Sequence, residues 1–94
     1  MTAVTLRTFG HIGTTIGATE MKMSVAGDTV KSVLDTLVAE VGDKLARILY
    51  PKGDRLSDLL YILVNGRNIR HMKGLETELV DGDIVSLFPV TAGG

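Results

Sequence analysis

The residues best suited to chemistry stand at the end of the chain, in the run Phe88-Pro89-Val90-Thr91-Ala92-Gly93-Gly94. Glycine averages about 7% of residues, so two in the last two places arise by chance at roughly 0.5%. A Gly-Gly end has a physical use. Without a Cβ the chain can enter a narrow tunnel and adopt backbone angles closed to other residues. The six residues after Phe88 would reach roughly 20 Å when extended. A carboxylate on Gly94 could then be worked on inside another protein's active site. A carboxylate resists sulfur and nitrogen nucleophiles because its leaving group would be oxide. Conversion to an acyl-adenylate replaces that leaving group with AMP. A sulfur donor can then leave a thiocarboxylate on Gly94, a soft nucleophile that is anionic at neutral pH. None of these steps requires a side chain from this chain. The competing expectation is a frayed end with no role.

The remaining side chains offer little chemistry. With no cysteine, a disulfide scaffold, a thiolate-held cluster, a Cys-based zinc site and a cysteine nucleophile are all excluded within the chain. The two histidines, His11 and His71, are expected in a turn and a loop, and no metal site or bound cofactor is expected. Asp81-Gly82-Asp83 has the look of a carboxylate pair, but between two strands it is ordinary turn chemistry. Met21 and Met23 at strand spacing read as core filling. No glycine-rich run leads into a helix through Lys-Ser/Thr, so no phosphate loop is present.

Composition agrees. Ten basic and eleven acidic residues give a net charge of −1, a poor basis for nucleic-acid binding through bulk electrostatics. The longest apolar run, residues 59–64, falls far short of the ~20 needed to span a bilayer. No targeting segment is visible, and a cytoplasmic location is expected by default. The chain length, 94 residues, suits one core.

Which elements would position the end of the chain? Residues 3–9 alternate as a strand, with Val4 and Leu6 on one face and Thr5 and Arg7 on the other. Gly10-His11-Ile12-Gly13 reads as a turn, and residues 14–25 as a second strand forming a hairpin with the first. Asp28 is expected to cap a helix whose apolar stripe is Val30, Val33, Leu34, Leu37, Val38 and Val41. Gly42 ends it. A short helix over 43–49, a strand over 60–65 closed by Asn65-Gly66, a short strand over 68–70, an irregular or helical connection over 74–77, and a last strand over 84–88 ended by Pro89 complete the order. One amphipathic helix needs one sheet to cover it. With the last strand returning beside the first, the expectation is an α+β fold of the β-grasp, or ubiquitin-like, type. Residues 1–88 would form the domain and 89–94 the tail.

Side-chain parity then sorts the sheet faces. Ile62, Val64, Val85 and Leu87 are expected in the core. Tyr61, Leu63 and Phe88 are expected to face outward as an apolar docking patch beside the tail, with Arg7 at its rim. The alternative is that they pack beneath residues 42–58 or a loop.

Gly27-Asp28-Thr29-Val30, Leu63-Val64-Asn65-Gly66, Asp81-Gly82-Asp83-Ile84-Val85 and the Phe-Pro…Gly-Gly end, in that order, resemble the MoaD/ThiS family of ubiquitin-like sulfur carriers. The resemblance implies adenylation of Gly94 at the expense of ATP by a MoeB-like adenylyltransferase, thiocarboxylation by a sulfur donor, and sulfur delivery. Gly93, Ala92 and Thr91 would thread the partner. In the MoaD branch the carrier is the small subunit of molybdopterin synthase, in molybdenum cofactor biosynthesis, and its tail enters a MoaE-like large subunit. The aromatic-Pro end favours that branch. Val90 after Pro89, where many MoaD tails carry a second proline, and the long 42–58 segment also resemble CysO-type carriers that serve cysteine synthesis. Two further readings stay open: a modifier joined through Gly94 to lysines, and a ubiquitin-like interaction module whose Gly-Gly end is incidental.

Overall fold

The computed structural model describes residues 1–53 and 55–90. Its elements are β1 (Thr2–Thr8), α1 (His11–Ile16), β2 (Glu20–Val25), α2 (Val30–Val41), α3 (Asp43–Leu49), β3 (Leu60–Val64), β4 (Arg67–Asn68) and β5 (Ile84–Pro89), with single 3-10 turns at Ile69–His71 and Gly74–Glu76. The strands form one sheet in the order β2-β1-β5-β3-β4. β1 and β5 run parallel at its centre and the other pairs are antiparallel. This is the β-grasp arrangement.

The core lies between the sheet's inner face and the helices. Val30, Val33, Leu34 and Leu37 of α2 are buried with Val4, Leu6, Ile62, Val64, Val85 and Leu87 of the strands. Val38 and Val41 finish the stripe half-buried. Leu45 and Leu49 of α3 and Ile12 of α1 extend the same cluster, and together these side chains supply most of the apolar burial that drives folding.

Four expectations need correction. The strand expected over 14–25 begins only at Glu20, and the expected turn at Gly10 opens α1 instead. His11 is therefore the first residue of a helix. The helix forms because Ile12 is fully buried beneath it and Gly17, at φ 90°, ends it with a left-handed cap. Second, α2 is capped by Thr29, whose side-chain oxygen accepts from the Ser32 N–H. The Asp28 carbonyl meanwhile accepts from Leu79 N–H, and Thr29 bridges to Glu78, so residues 28–29 are held as extended chain. Third, the short strand is Arg67–Asn68, and Ile69–His71 turns as 3-10. Fourth, β5 does not stop before Pro89, which still pairs with Leu60. Its missing N–H falls on the side toward β1, whose last bond to β5 runs from Phe9 N–H to the Leu87 carbonyl. Toward β3 the ladder continues, with Val90 N–H donating to the Leu59 carbonyl at 2.8 Å.

Candidate functional site

The β-grasp order puts β5 in the middle of the sheet, so the end of the chain leaves from a strand held on both sides. Around that exit the outer sheet face is built by alternation. β1 contributes Arg7 and, one step past its end, Phe9; β3 contributes Tyr61 and Leu63; β5 contributes Ser86 and Phe88.

Register brings these residues together. Tyr61 lies opposite Phe88, and Leu63 opposite Ser86, whose other neighbour is Arg7. The Phe9 ring stacks on Phe88 with centroids 4.1 Å apart and planes 7° from parallel. The Arg70 guanidinium sits 5.7 Å from the centroid of the Tyr61 ring. The result is a row, Phe9–Phe88–Tyr61–Arg70, crossing the sheet where β5 ends. Tyr61 is 43% exposed, Phe9 40% and Leu59 59%, while Phe88 and Leu63 are half-buried. Isolated exposed apolar residues are ordinary, but a contiguous aromatic row on a sheet face is the kind of surface that partners cover.

Tyr61, Leu63 and Phe88 therefore face outward, as parity required, and are not beneath α3, which packs with α1 and α2. Arg7 is on the same face but turned toward β2, where its Nε donates to Glu20 Oε1 at 3.0 Å. Both ends of that pair are half-exposed, so it contributes at most about 1 kcal/mol and leaves the guanidinium accessible. Thr91, Ala92, Gly93 and Gly94 lie outside the described residues. Phe9, Leu59 and Arg70 were not singled out from the sequence. Phe9 and Leu59 could have been, since they continue the odd-numbered alternation of Arg7 and of Tyr61 and Leu63. Arg70 had no such signal, because it reaches Tyr61 from a 3-10 turn.

The Asp-Gly-Asp turn is a structural clasp. Asp81 Oδ1 accepts from Ala3 N–H, and Asp83 Oδ2 from Val80 N–H, both at 2.9 Å. Asp83 Oδ1 accepts from Asn65 Nδ2, while Asn65 Oδ1 accepts from Ile84 N–H, again at 2.9 Å each. These carboxylates are engaged by backbone and amide donors, an arrangement that ties the β3–β4 turn to the start of β5. Among the described residues no three His, Asp or Glu side chains gather as metal ligands, and no helix is long and apolar enough to cross a membrane. The shifted titrations belong to Lys31 of α2 and to Tyr50, one residue past α3. Lys31 is held above its ordinary value by its hydrogen bond to Asp35, and burial pushes the Tyr50 phenol up.

A model of the ThiS family matches residues 7–94. The chain is 46% identical over 66 residues to a putative sulfur carrier protein of Archaeoglobus fulgidus, covering 70% of this chain and 74% of that one. It is 40% identical over 90 residues to small archaeal modifier protein 3 of Haloferax volcanii, covering 95% and 96% respectively. The solution structure of small archaeal modifier protein 1 from Methanosarcina acetivorans superimposes with a TM-score of 0.87 at 34% identity, over 100% of this chain and 98% of that one.

Proposed function

The chain belongs to the ThiS family, a family of sulfur carriers and ubiquitin-like modifiers, and from that premise we propose that its working group is the carboxylate of Gly94. A Gly94 carboxylate oxygen attacks the α-phosphorus of ATP in the site of a MoeB-like adenylyltransferase, and pyrophosphate leaves. A hydrosulfide-equivalent donor then attacks the acyl carbon. AMP and a proton leave, and the carboxylate has exchanged one oxygen for sulfur. The carrier supplies no acid or base. Its side chains dock and its backbone reaches.

The observation that carries this reading is the aromatic row. Phe9, Phe88 and Tyr61 lie where β5 hands the chain to its last residues, so a partner covering that row would meet the tail at its root. Thr91, Ala92 and Gly93 thread the partner, and Phe88, Leu63, Tyr61 and Arg7 contact its surface. In the finer reading the carrier is the small subunit of a molybdopterin synthase and delivers sulfur inside a MoaE-like large subunit, in keeping with the Phe88-Pro89 end. A second reading is favoured by the near full-length match to small archaeal modifier protein 3: the activated Gly94 forms an isopeptide bond with a lysine amine, releasing AMP.

The test is incubation with ATP, the adenylating enzyme and a sulfur donor, followed by intact-mass measurement. A gain of about 16 Da marks oxygen replaced by sulfur, whereas adducts the size of a second protein mark conjugation. Deleting Gly94, or adding one residue after it, should abolish both products while leaving the thermal melt unchanged. Activation of the extended variant at the native rate would refute the proposal. Co-purification of a MoaE-like protein, and loss of molybdopterin formation when Gly94 is deleted, check the finer reading.

A further inference from the structure

The corner between β1 and α1 does more than join two elements. Phe9 N–H donates to the Leu87 carbonyl at 3.1 Å, its ring stacks on Phe88, and Gly10 turns the chain at φ 61° and ψ −143° directly against the Pro89 ring. A Cβ placed on Gly10 would lie 2.8 Å from Pro89 Cγ, closer than such atoms approach. The ring is rigid, so Pro89 itself would have to move. On the other side of β5, Val90 is tied to Leu59. Three consecutive residues of β5 and its continuation are thus held by three different means: a ring stack at Phe88, a close backbone approach at Pro89 and a hydrogen bond at Val90.

Pro89 explains why the corner is needed. With no N–H it cannot donate toward β1, so on that side the ring is held by shape. Gly10 supplies the shape, because the backbone angles it adopts and the missing side chain are both glycine properties. We infer that Phe9 and Gly10 are positioning residues for activation: they fix the line along which the chain leaves Val90, and so where a group several residues farther on arrives in the adenylating site. This role rests on the reading of Gly94 as the activated residue. The hold on Val90 does not.

The experiment uses Phe9→Ala, Phe9→Tyr, Gly10→Ala and the double variant Gly10→Ala/Pro89→Ala, with two readouts. The first, hydrogen exchange at the Val90 amide, needs no enzyme. Exchange should quicken in Phe9→Ala and Gly10→Ala, stay native in Phe9→Tyr, and recover only in part in the double variant, where the struck ring is gone but alanine still has to adopt a φ of 61°. The second is ATP-dependent activation by the MoeB-like enzyme. Misaimed by about an ångström, the tail should lose about 10- to 100-fold in kcat, beyond any rise in KM from the lost docking ring, and Phe9→Tyr should restore the rate. Should Gly10→Ala fail to fold, Phe9→Ala decides, since its ring lies on the surface. Native Val90 exchange in both Phe9→Ala and Gly10→Ala overturns the inference. So does a loss confined to KM, which would make Phe9 a docking contact alone. Normal activation of the wild type with normal variants sinks the positioning role and spares the Gly94 reading; a wild type that takes no AMP sinks both.

Discussion

Replacing Asn65 with alanine should weaken the fold without touching the tail. The Asn65 side chain donates to the Asp83 carboxylate and accepts from Ile84 N–H, and its backbone sits at φ 51°, in the left-handed region that a residue with an ordinary side chain seldom adopts. A net intramolecular hydrogen bond is worth ~1 kcal/mol, and one to a charged group somewhat more. Both are near the surface here, so ~0.5–1 kcal/mol each is appropriate. Left-handed backbone costs alanine about another 1 kcal/mol. Together Asn65→Ala should lose about 2–3 kcal/mol. At 4–8 °C per kcal/mol for a domain of this size, Tm should fall by about 8–24 °C. Urea titration followed by far-ultraviolet circular dichroism is the suitable assay, since the chain has no tryptophan. A double-mutant cycle with Asp83→Ala should give a coupling of at least ~0.5 kcal/mol between the two side chains. The reasoning fails if Asn65→Ala unfolds within ~0.5 kcal/mol of wild type, or if the two substitutions are additive.

Three other outcomes are expected. Thr29→Ala should destabilise by about 1 kcal/mol through loss of the α2 cap, while Asp28→Ala should stay within ~0.5 kcal/mol; a urea series in which Asp28 proved the costlier site would contradict the assignment. Tyr50 stays protonated to higher pH when folded than its ordinary 10.0. Unfolded chains therefore lose that proton first, and stability should decline as pH rises from about 10. Tyr50→Phe should remove that decline, as thermal melts between pH 8 and 11 would register; its hydroxyl is buried with no hydrogen-bond partner among the described residues, so the substitution should cost little at neutral pH. Finally, Tyr61→Ser with Phe88→Ser should raise the KM for activation, about 1–2 kcal/mol in binding for each removed aromatic contact, and competition with unlabelled wild type would expose any variant that still docks normally.

Much of the architecture was legible because burial imposes a period. The 3-and-4 spacing from Val30 to Leu37 identified α2, since only one stripe of a helix can reach the sheet. Alternation through β3 and β5 separated Ile62, Val64, Val85 and Leu87 from Tyr61, Leu63 and Phe88, since adjacent strand residues point to opposite faces. Asn65-Gly66 marked the hairpin because few residues accept positive φ; the two occupy it at 51° and 88°. The segment His11–Ile16 was not legible. Gly13, Thr14, Thr15 and Ile16 are weak helix formers, and what makes them helical is the burial of Ile12 and Gly13 beneath elements far away in sequence. The Thr29 cap was hidden for a similar reason, since residues 28 and 29 are held extended by Leu79 and Glu78.

The same division holds at the candidate site. Local chemistry alone pointed to the Gly-Gly end as the reactive part and to the outward face of the sheet as the place where partners dock, because glycine's missing side chain and the two-residue period of a strand are properties of the chain itself. Only tertiary structure decided what stands beside Phe88 and Pro89. Phe9 and Phe88, far apart in sequence, became a stacked pair when β1 and β5 paired in parallel at one register, and Gly10 acquired Pro89 as a neighbour by the same pairing. A register between distant strands is set by the packing of the whole core, so it cannot be read from either strand alone.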